Sequence, residues 1–460
     1  MKTLKYILYF VLIAFLGTSC APEIDDFQPS KGNADFTSYI AVGNSLTAGY
    51  ADGALYKSGQ EYGWANILAQ QLKTVGMQGE FNIPYMPDDE GVGFRGMTPV
   101  TKMVMGFTAD CNNNISMGPV LANPDADPAS LMAKVTASVA AQGPFNNIGV
   151  PGIKVAHLLA PGLGMLNPFY GRFAENPATD VLINEVAKVN PTFFSLWIGN
   201  NDVLGYATSG GAGDSITSPQ LFEALLKTVV SKIKEQAEKG VIANIPTITA
   251  IPFLNTVPYN AIALTQEQAD LLNNAYSLYN SLMEQYNFPY RINWQAGKNP
   301  MVIWDKDMPL PAGYEQYKFR QIEEGELVTL TIPQDSLKCA HWGTAKPVPD
   351  EYVLTKSEIV NVNQTITAYN DIIKKVADEN ALAYVDMAAK LQEAINGIKI
   401  DGVEFSTKYV TGNIFSTDGV HLTPQGNAFV ANMFIDAINA KYESNIPKVM
   451  VSNYPTIELP

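Results

Sequence analysis

The stretch TSYIAVGNSLTAGY, residues 37–50, sets an apolar run against a glycine turn, a serine and a segment of small residues. Its apolar residues run continuously instead of alternating, the pattern of a strand covered on both faces. In a parallel sheet such a strand delivers Ser45 to the carboxyl edge, where open α/β sheets bind ligands. Gly43 lets the chain turn, and Leu46 onward is compatible with a helix start whose free amides could stabilise negative charge. Taken alone, the stretch favours a helix-capping hydroxyl over a nucleophile, so the rest of the chain must decide.

Four further short apolar segments read as buried strands: NNIGV at 146–150, TFFSLWIG at 192–199, PTITAIPF at 246–253 and ALAYVDM at 381–387. Helical patterns lie between most of them, which predicts an α/β fold with a mainly parallel five-stranded sheet and crossover helices. The helix at 218–240 starts with Ser218 as N-cap and Pro219 at the first position and is expected to end at Gly240. Capping boxes at Thr265/Gln268 and Thr355/Glu358 open the helices at 264–287 and 355–380. Thr423 and Pro424 open the last, at 423–442.

Two regions break this alternation. Residues 75–142 are rich in Gly, Pro, Met and Asn, and residues 288–352 are aromatic and β-leaning. Structureless loops of that length are improbable in a compact domain, so both read as ordered insertions that form a cap. Each holds one cysteine, Cys111 or Cys339. An exported protein would permit their pairing, and two buried free thiols are the alternative.

The export reading comes from the N-terminus. Lys2 and Lys5 precede an apolar run from Tyr6 to Leu16 and small residues ending at Cys20, a secretory leader too short to span a membrane. The ending LGTSC resembles a bacterial lipobox, which implies cleavage before Cys20 and acylation of that cysteine. Residues 21–35 then read as a polar tether, the main domain as 36–442, and 443–460 as a tail. The expected location is the cell envelope, as an outer-membrane lipoprotein on the periplasmic side or the cell surface, with the membrane touched only through the lipid. The formal charge is −15, and two units more negative without Lys2 and Lys5, so a phosphate backbone is an unsuitable partner. The three histidines, His157, His341 and His421, are far apart and no cluster has metal-ligand spacing. Neither a metal nor a cofactor is expected.

A serine nucleophile needs a base, normally histidine held by a carboxylate. In IFSTDGVHLTPQGNA, Asp418 stands three residues before His421 in a glycine-containing turn, a spacing that can bring both side chains to one side. An isolated pair of this kind is equally a surface Asp and His in a loop. Attack on an ester makes an oxyanion, for which donors must already be in place. Asn201, at the end of the third strand in LWIGNNDVL, and Gly152, at the end of the second in NNIGVPGIKV, could supply them, or could be simple turn chemistry. Ser215 in GAGDSI is the rival serine on letters alone, but no strand stands behind it to hold it rigidly.

Together GNSL at 43–46, NIGVPG at 147–152, GNND at 199–202 and DGVH at 418–421 resemble, in order, the four blocks of the GDSL esterases and lipases, or SGNH hydrolases. The resemblance covers residues 36 to about 442, apart from the two insertions. It implies a flavodoxin-like three-layer α/β/α sandwich. It also implies Ser45 as nucleophile, His421 as base, Asp418 as its partner, and the Ser45 amide, Gly152 and Asn201 as oxyanion donors. The family usually carries Asp where this chain has Asn44, which puts local charge in doubt. The expectation is a serine esterase acting on a small-molecule, glycan or lipid ester, with O-acyl carbohydrate ahead of lipid esters. A non-catalytic glycan- or lipid-binding lipoprotein, stacking sugars on Tyr290, Trp294, Trp304, Tyr314 or Trp342, is the alternative from another class.

Overall fold

The computed structural model describes residues 27–460; the leader, Cys20 and the start of the tether lie outside the described residues. Five strands form one sheet: β1 Tyr39–Gly43, β2 Asn147–Gly149, β3 Phe193–Trp197, β4 Lys239–Ala243 and β5 Ala383–Val385. Their order is β5-β4-β3-β1-β2 and every neighbouring pair is parallel. This is the flavodoxin-like order, whose switch point lies between β1 and β3. All five residues of β1 and of β3 are buried, as strands sandwiched between helices must be.

Helices cover both faces. On one, α2 Trp64–Lys73 packs on α6 Pro424–Tyr442, with Trp64 and Phe434 stacked at 4.1 Å. On the other, α4 Pro219–Lys234 packs on α5 Lys356–Glu379, with Phe222 stacked on Tyr369 at 4.0 Å. Each of those four rings is almost fully buried. At about 1.5–3 kcal/mol for each large apolar side chain removed from water, such seams dominate the joining of helix to helix over the sheet. The expected caps form: Ser218 Oγ accepts from Leu221 N, and Thr423 Oγ1 from Gly426 N at 2.9 Å.

The fourth strand is not where its sequence suggested. Residues 246–253 form a 3₁₀ turn, Ile248–Ala250, and the start of a helical turn at Pro252–Asn255. Pro246 and Pro252 carry no N–H for a ladder, which demotes that run. The strand is Lys239–Ala243, and the preceding helix ends at Lys234 instead of Gly240. Gly240 is a packing glycine inside β4, since a Cβ there would lie 2.4 Å from the Phe194 ring.

The first insertion carries a hairpin of Gly93–Arg95 with Thr98–Val100, and a longer ribbon of Met103–Ala109 with Ile115–Leu121. The second is larger than its aromatic sequence. The helix expected at 264–287 is two helices, Gln266–Ala275 and Ser277–Gln285, and both belong to the insertion. Ala269, Tyr276, Tyr279 and Met283 pack there with Trp294 and Val302 in a core separate from that of the sheet. Core packing therefore accounts for Trp294, and Tyr290 packs against the same core. A disulfide between Cys111, at the ribbon's tip, and Cys339 ties the two insertions together.

Residues 30–35 pack on the end of α6, where Asn33 N donates to Tyr442 O at 2.7 Å. Among the described residues no helix is long and apolar enough to cross a membrane.

Candidate active site

β1 ends at Gly43, where a side chain has no room: a Cβ would sit 2.2 Å from Thr47 Oγ1 and 2.5 Å from Trp197 O. The chain turns directly into α1, Ser45–Ala48. The residue that caps this short helix is Asn44, whose Oδ1 accepts from Leu46 N at 3.0 Å. Ser45 is thus the first residue of the helix and its hydroxyl is free for other use. Asn44 Nδ2 donates to Asn200 Oδ1 at 3.2 Å, a buried amide pair that links the ends of β1 and β3.

The hydroxyl of Ser45 lies 2.9 Å from His421 Nε2, and His421 Nδ1 lies 2.8 Å from Asp418 Oδ2. The three-residue spacing works because Gly419 adopts a left-handed backbone, φ +71°, which curls the loop until carboxylate and imidazole meet. Asp418 Oδ1 accepts from the backbone N–H groups of Val420 at 2.9 Å and His421 at 2.8 Å. Gly53 N donates to Oδ2 at 2.8 Å. Burial alone would raise the Asp418 pKa. The facing His421 charge, the ring hydrogen bond and the backbone donors outweigh burial and hold the carboxyl well below its usual range. Asp418 is thus fixed as an anion that orients the ring.

The proposed oxyanion donors converge at the same sheet edge. Gly152 is exposed, with φ +79° and open space where a side chain would be. Asn201 opens α3, Asn201–Thr208, and spends one N–H on Ile153 O at 2.9 Å. Among the described residues its second N–H has no partner. The next residue, Asp202, accepts from Val155 N at 2.9 Å, and Asn167 Nδ2 donates to Pro151 O at 2.8 Å. Three side chains thereby pin the 151–155 loop. Sequence reasoning missed Asn167 and the grip of Asp202, because neither contact has a local signature.

One wall is aromatic. Tyr50 lies 4.7 Å from the His421 ring and meets Phe169 edge-on at 6.2 Å; Phe94, from the first insertion, meets Phe169 at 5.8 Å. Ser215 is not brought to this site. It is solvent-facing, and its carbonyl accepts from Lys154 Nζ at 2.9 Å. His157 Nδ1 accepts from Lys154 N at 3.1 Å and His341 lies in the second insertion. Among the described residues, no three His, Cys, Asp or Glu side chains gather as a metal site.

A serine, a histidine and a carboxylate joined in sequence at the switch point of a parallel sheet define a serine hydrolase. The family model of the GDSL-like lipases/acylhydrolases matches residues 39–306, and the chain belongs to that family, as a serine hydrolase acting on ester bonds. The match ends before Asp418 and His421, which the hydrogen bonds above join to Ser45. No curated protein matches the chain significantly. Among solved structures it is similar to LAE5, an alpha/beta hydrolase enzyme from the metagenome of Lake Arreo, Spain. The identity is 10%, over 89% of this chain and 97% of that one, with a TM-score of 0.35. It is also similar to an acetylxylan esterase from Geobacillus stearothermophilus, with 12% identity over 88% of this chain and 96% of that one and a TM-score of 0.34.

Proposed function

We propose that the protein is an exported, lipid-anchored esterase that cleaves O-acyl groups from carbohydrate through an acyl-enzyme on Ser45. The observation that carries the chemistry is the unbroken chain Ser45 Oγ, His421 Nε2, His421 Nδ1, Asp418 Oδ2. Ser45 Oγ attacks the ester carbon while its proton passes to His421 Nε2. The oxyanion is met by the Ser45 and Gly152 amides and the free N–H of Asn201. Collapse breaks the ester bond, and His421 returns the proton to the departing alkoxide. Water, deprotonated by the same ring, then attacks the acyl carbon and releases the acid and Ser45. The leader ending at Cys20 supports export and the anchor, and an envelope location favours a glycan ester.

One observation favours lipid esters as a second reading. The long ribbon exposes Phe107, Ile115 and Met117, with Phe107 directly opposite Met117, an apolar surface on the first insertion. A series of p-nitrophenyl esters from acetate to palmitate, run beside a chemically acetylated oligosaccharide, separates the two. Highest kcat/KM on acetate, with acetate released from the oligosaccharide, is expected. A steady rise in kcat/KM with chain length, with no release from the sugar, would overturn the carbohydrate reading.

Asn201→Ala should lower turnover by about 10²- to 10³-fold, the size measured for other oxyanion donors, with KM for p-nitrophenyl acetate little changed. Equal turnover in the variant would remove Asn201 from the oxyanion site.

A further inference from the structure

One carboxylate beside the triad is unused by the mechanism above. Asp52 stands in the tight turn after α1, with a left-handed backbone, φ +54°, that is uncommon for a residue with a side chain. Its Oδ1 accepts from Thr417 N at 3.1 Å and Thr417 Oγ1 at 2.8 Å, and its Oδ2 from the Tyr56 hydroxyl at 2.6 Å. Its own N–H donates to Ser416 Oγ at 3.0 Å. The next residue, Gly53, gives its N–H to Asp418. Residues 52–53 thus clamp 416–418, the strip immediately before and including the triad carboxylate, from more than three hundred residues away in sequence.

The clamp is continuous with the first insertion. Met103 N donates to Asp52 O at 2.8 Å, and Lys102 Nζ lies 4.2 Å over the Tyr56 ring. A cavity of about 580 Å³ is lined by Asp52, Tyr56, Thr417 and residues 455–460.

We propose that Asp52 is a positioning residue for catalysis, holding Asp418 at hydrogen-bonding distance from His421 and adding a second negative charge behind the imidazole. This rests on the reading of Ser45, His421 and Asp418 as the catalytic set. Asp418 orients the imidazole, and Asp52 holds the strip that carries Asp418. Burial, opposed by Tyr56 and Thr417 and helped by the Asp418 charge, pushes the Asp52 carboxyl upward, while Asp418 is pushed downward. The titratable and charged groups around the pair are Tyr50 on the His421 ring, Tyr56, Tyr409, whose hydroxyl bonds Thr417 O, and Lys102. The three tyrosines are all pushed toward the neutral form by burial first and then by neighbouring carboxylates, so none supplies a competing charge.

The experiment compares Asp52→Ala, Asp52→Asn and Tyr56→Phe with wild type on p-nitrophenyl acetate, with a Tm for each and Ser45→Ala as reference. A displacement of the triad on the order of 1 Å costs about 10²-fold. Asp52→Ala is therefore expected to lose about 10- to 100-fold in kcat with KM within about twofold. Asp52→Asn keeps an acceptor for Thr417 and should recover most of kcat. Without the charge the imidazolium is less stabilised, so in Asp52→Asn the acid limb of the kcat/KM profile should move to lower pH. If Asp52→Ala fails to fold, Asp52→Asn and Tyr56→Phe decide. A shifted acid limb in Asp52→Asn and a reduced kcat in Tyr56→Phe, both at wild-type Tm, support the proposal; unchanged kcat and profile overturn it. Dead Ser45→Ala beside wild-type kcat in Asp52→Ala sinks this inference alone, whereas active Ser45→Ala sinks the reading beneath it.

Discussion

Ser45→Ala is expected to reduce turnover of p-nitrophenyl acetate by at least about 10⁴-fold, and by up to about 10⁶-fold, the range seen when a triad nucleophile is removed elsewhere. Labelling by a fluorophosphonate should vanish with it. The substitution is a clean one because the helix cap at this position belongs to Asn44 and not to Ser45. Removing the hydroxyl leaves the cap, the Gly43 turn and the Asn44 to Asn200 bond in place. Among the described residues, the one side-chain partner lost is His421 Nε2. Thermal stability should therefore stay near wild type while activity collapses, and that combination distinguishes lost chemistry from lost fold. The rival outcome is specific: fluorophosphonate on Ser215, or full turnover in Ser45→Ala, would overturn the nucleophile. Ser215 is poorly built for the role, since its backbone N–H bonds the neighbouring Asp214 carboxylate and no imidazole bonds its hydroxyl among the described residues.

What could be read from the chain, and what could not, divides by the range of the interaction. β1 and β3 were legible because burial on both faces writes a continuous apolar run, and the caps at Ser218, Thr265 and Thr423 because each closes within three residues. β4 is not legible in the sequence because Gly240 has two opposite meanings, a helix stop or a packing glycine, and only the Phe194 ring on the neighbouring strand tells them apart. The Asp418 and His421 pair was visible as a local spacing. Its donor Gly53, and Asp52 behind Thr417, were not, since those bonds close over 365 residues. The extent of the second insertion was hidden for a related reason: the helices at 266–285 have ordinary amphipathic patterns, and only the partner surface decides which core they join.

Asn44, where the family usually carries Asp, fits the same neighbourhood. Asn44 accepts on one side and donates on the other, so the buried strand ends are joined without a charge.

Asp418→Asn should be nearly as damaging as loss of the serine, at about 10⁴-fold in turnover, for a reason that lies in donor geometry. Asp418 faces four N–H donors: Val420 and His421 backbone amides at Oδ1, Gly53 N and His421 Nδ1 at Oδ2. An amide has one oxygen, so in either orientation its NH₂ group confronts two donors. With NH₂ toward the ring, His421 must accept at Nδ1 and carry its proton on Nε2, the tautomer that cannot take a proton from Ser45. With NH₂ toward the backbone, the loop that places His421 is pushed open. Stability should record the same loss with a defined pH dependence. The folded carboxyl is held below its ordinary value of 3.8, so its contribution is fully present above that value and is lost as pH falls through the lower folded one. Melts of wild type and Asp418→Asn should therefore show a Tm gap that is present at about pH 5 and closes only in stronger acid. A gap that closed between pH 8 and pH 6 would mean that Asp418 is not the group held ionised, and wild-type turnover in Asp418→Asn would remove it from the triad.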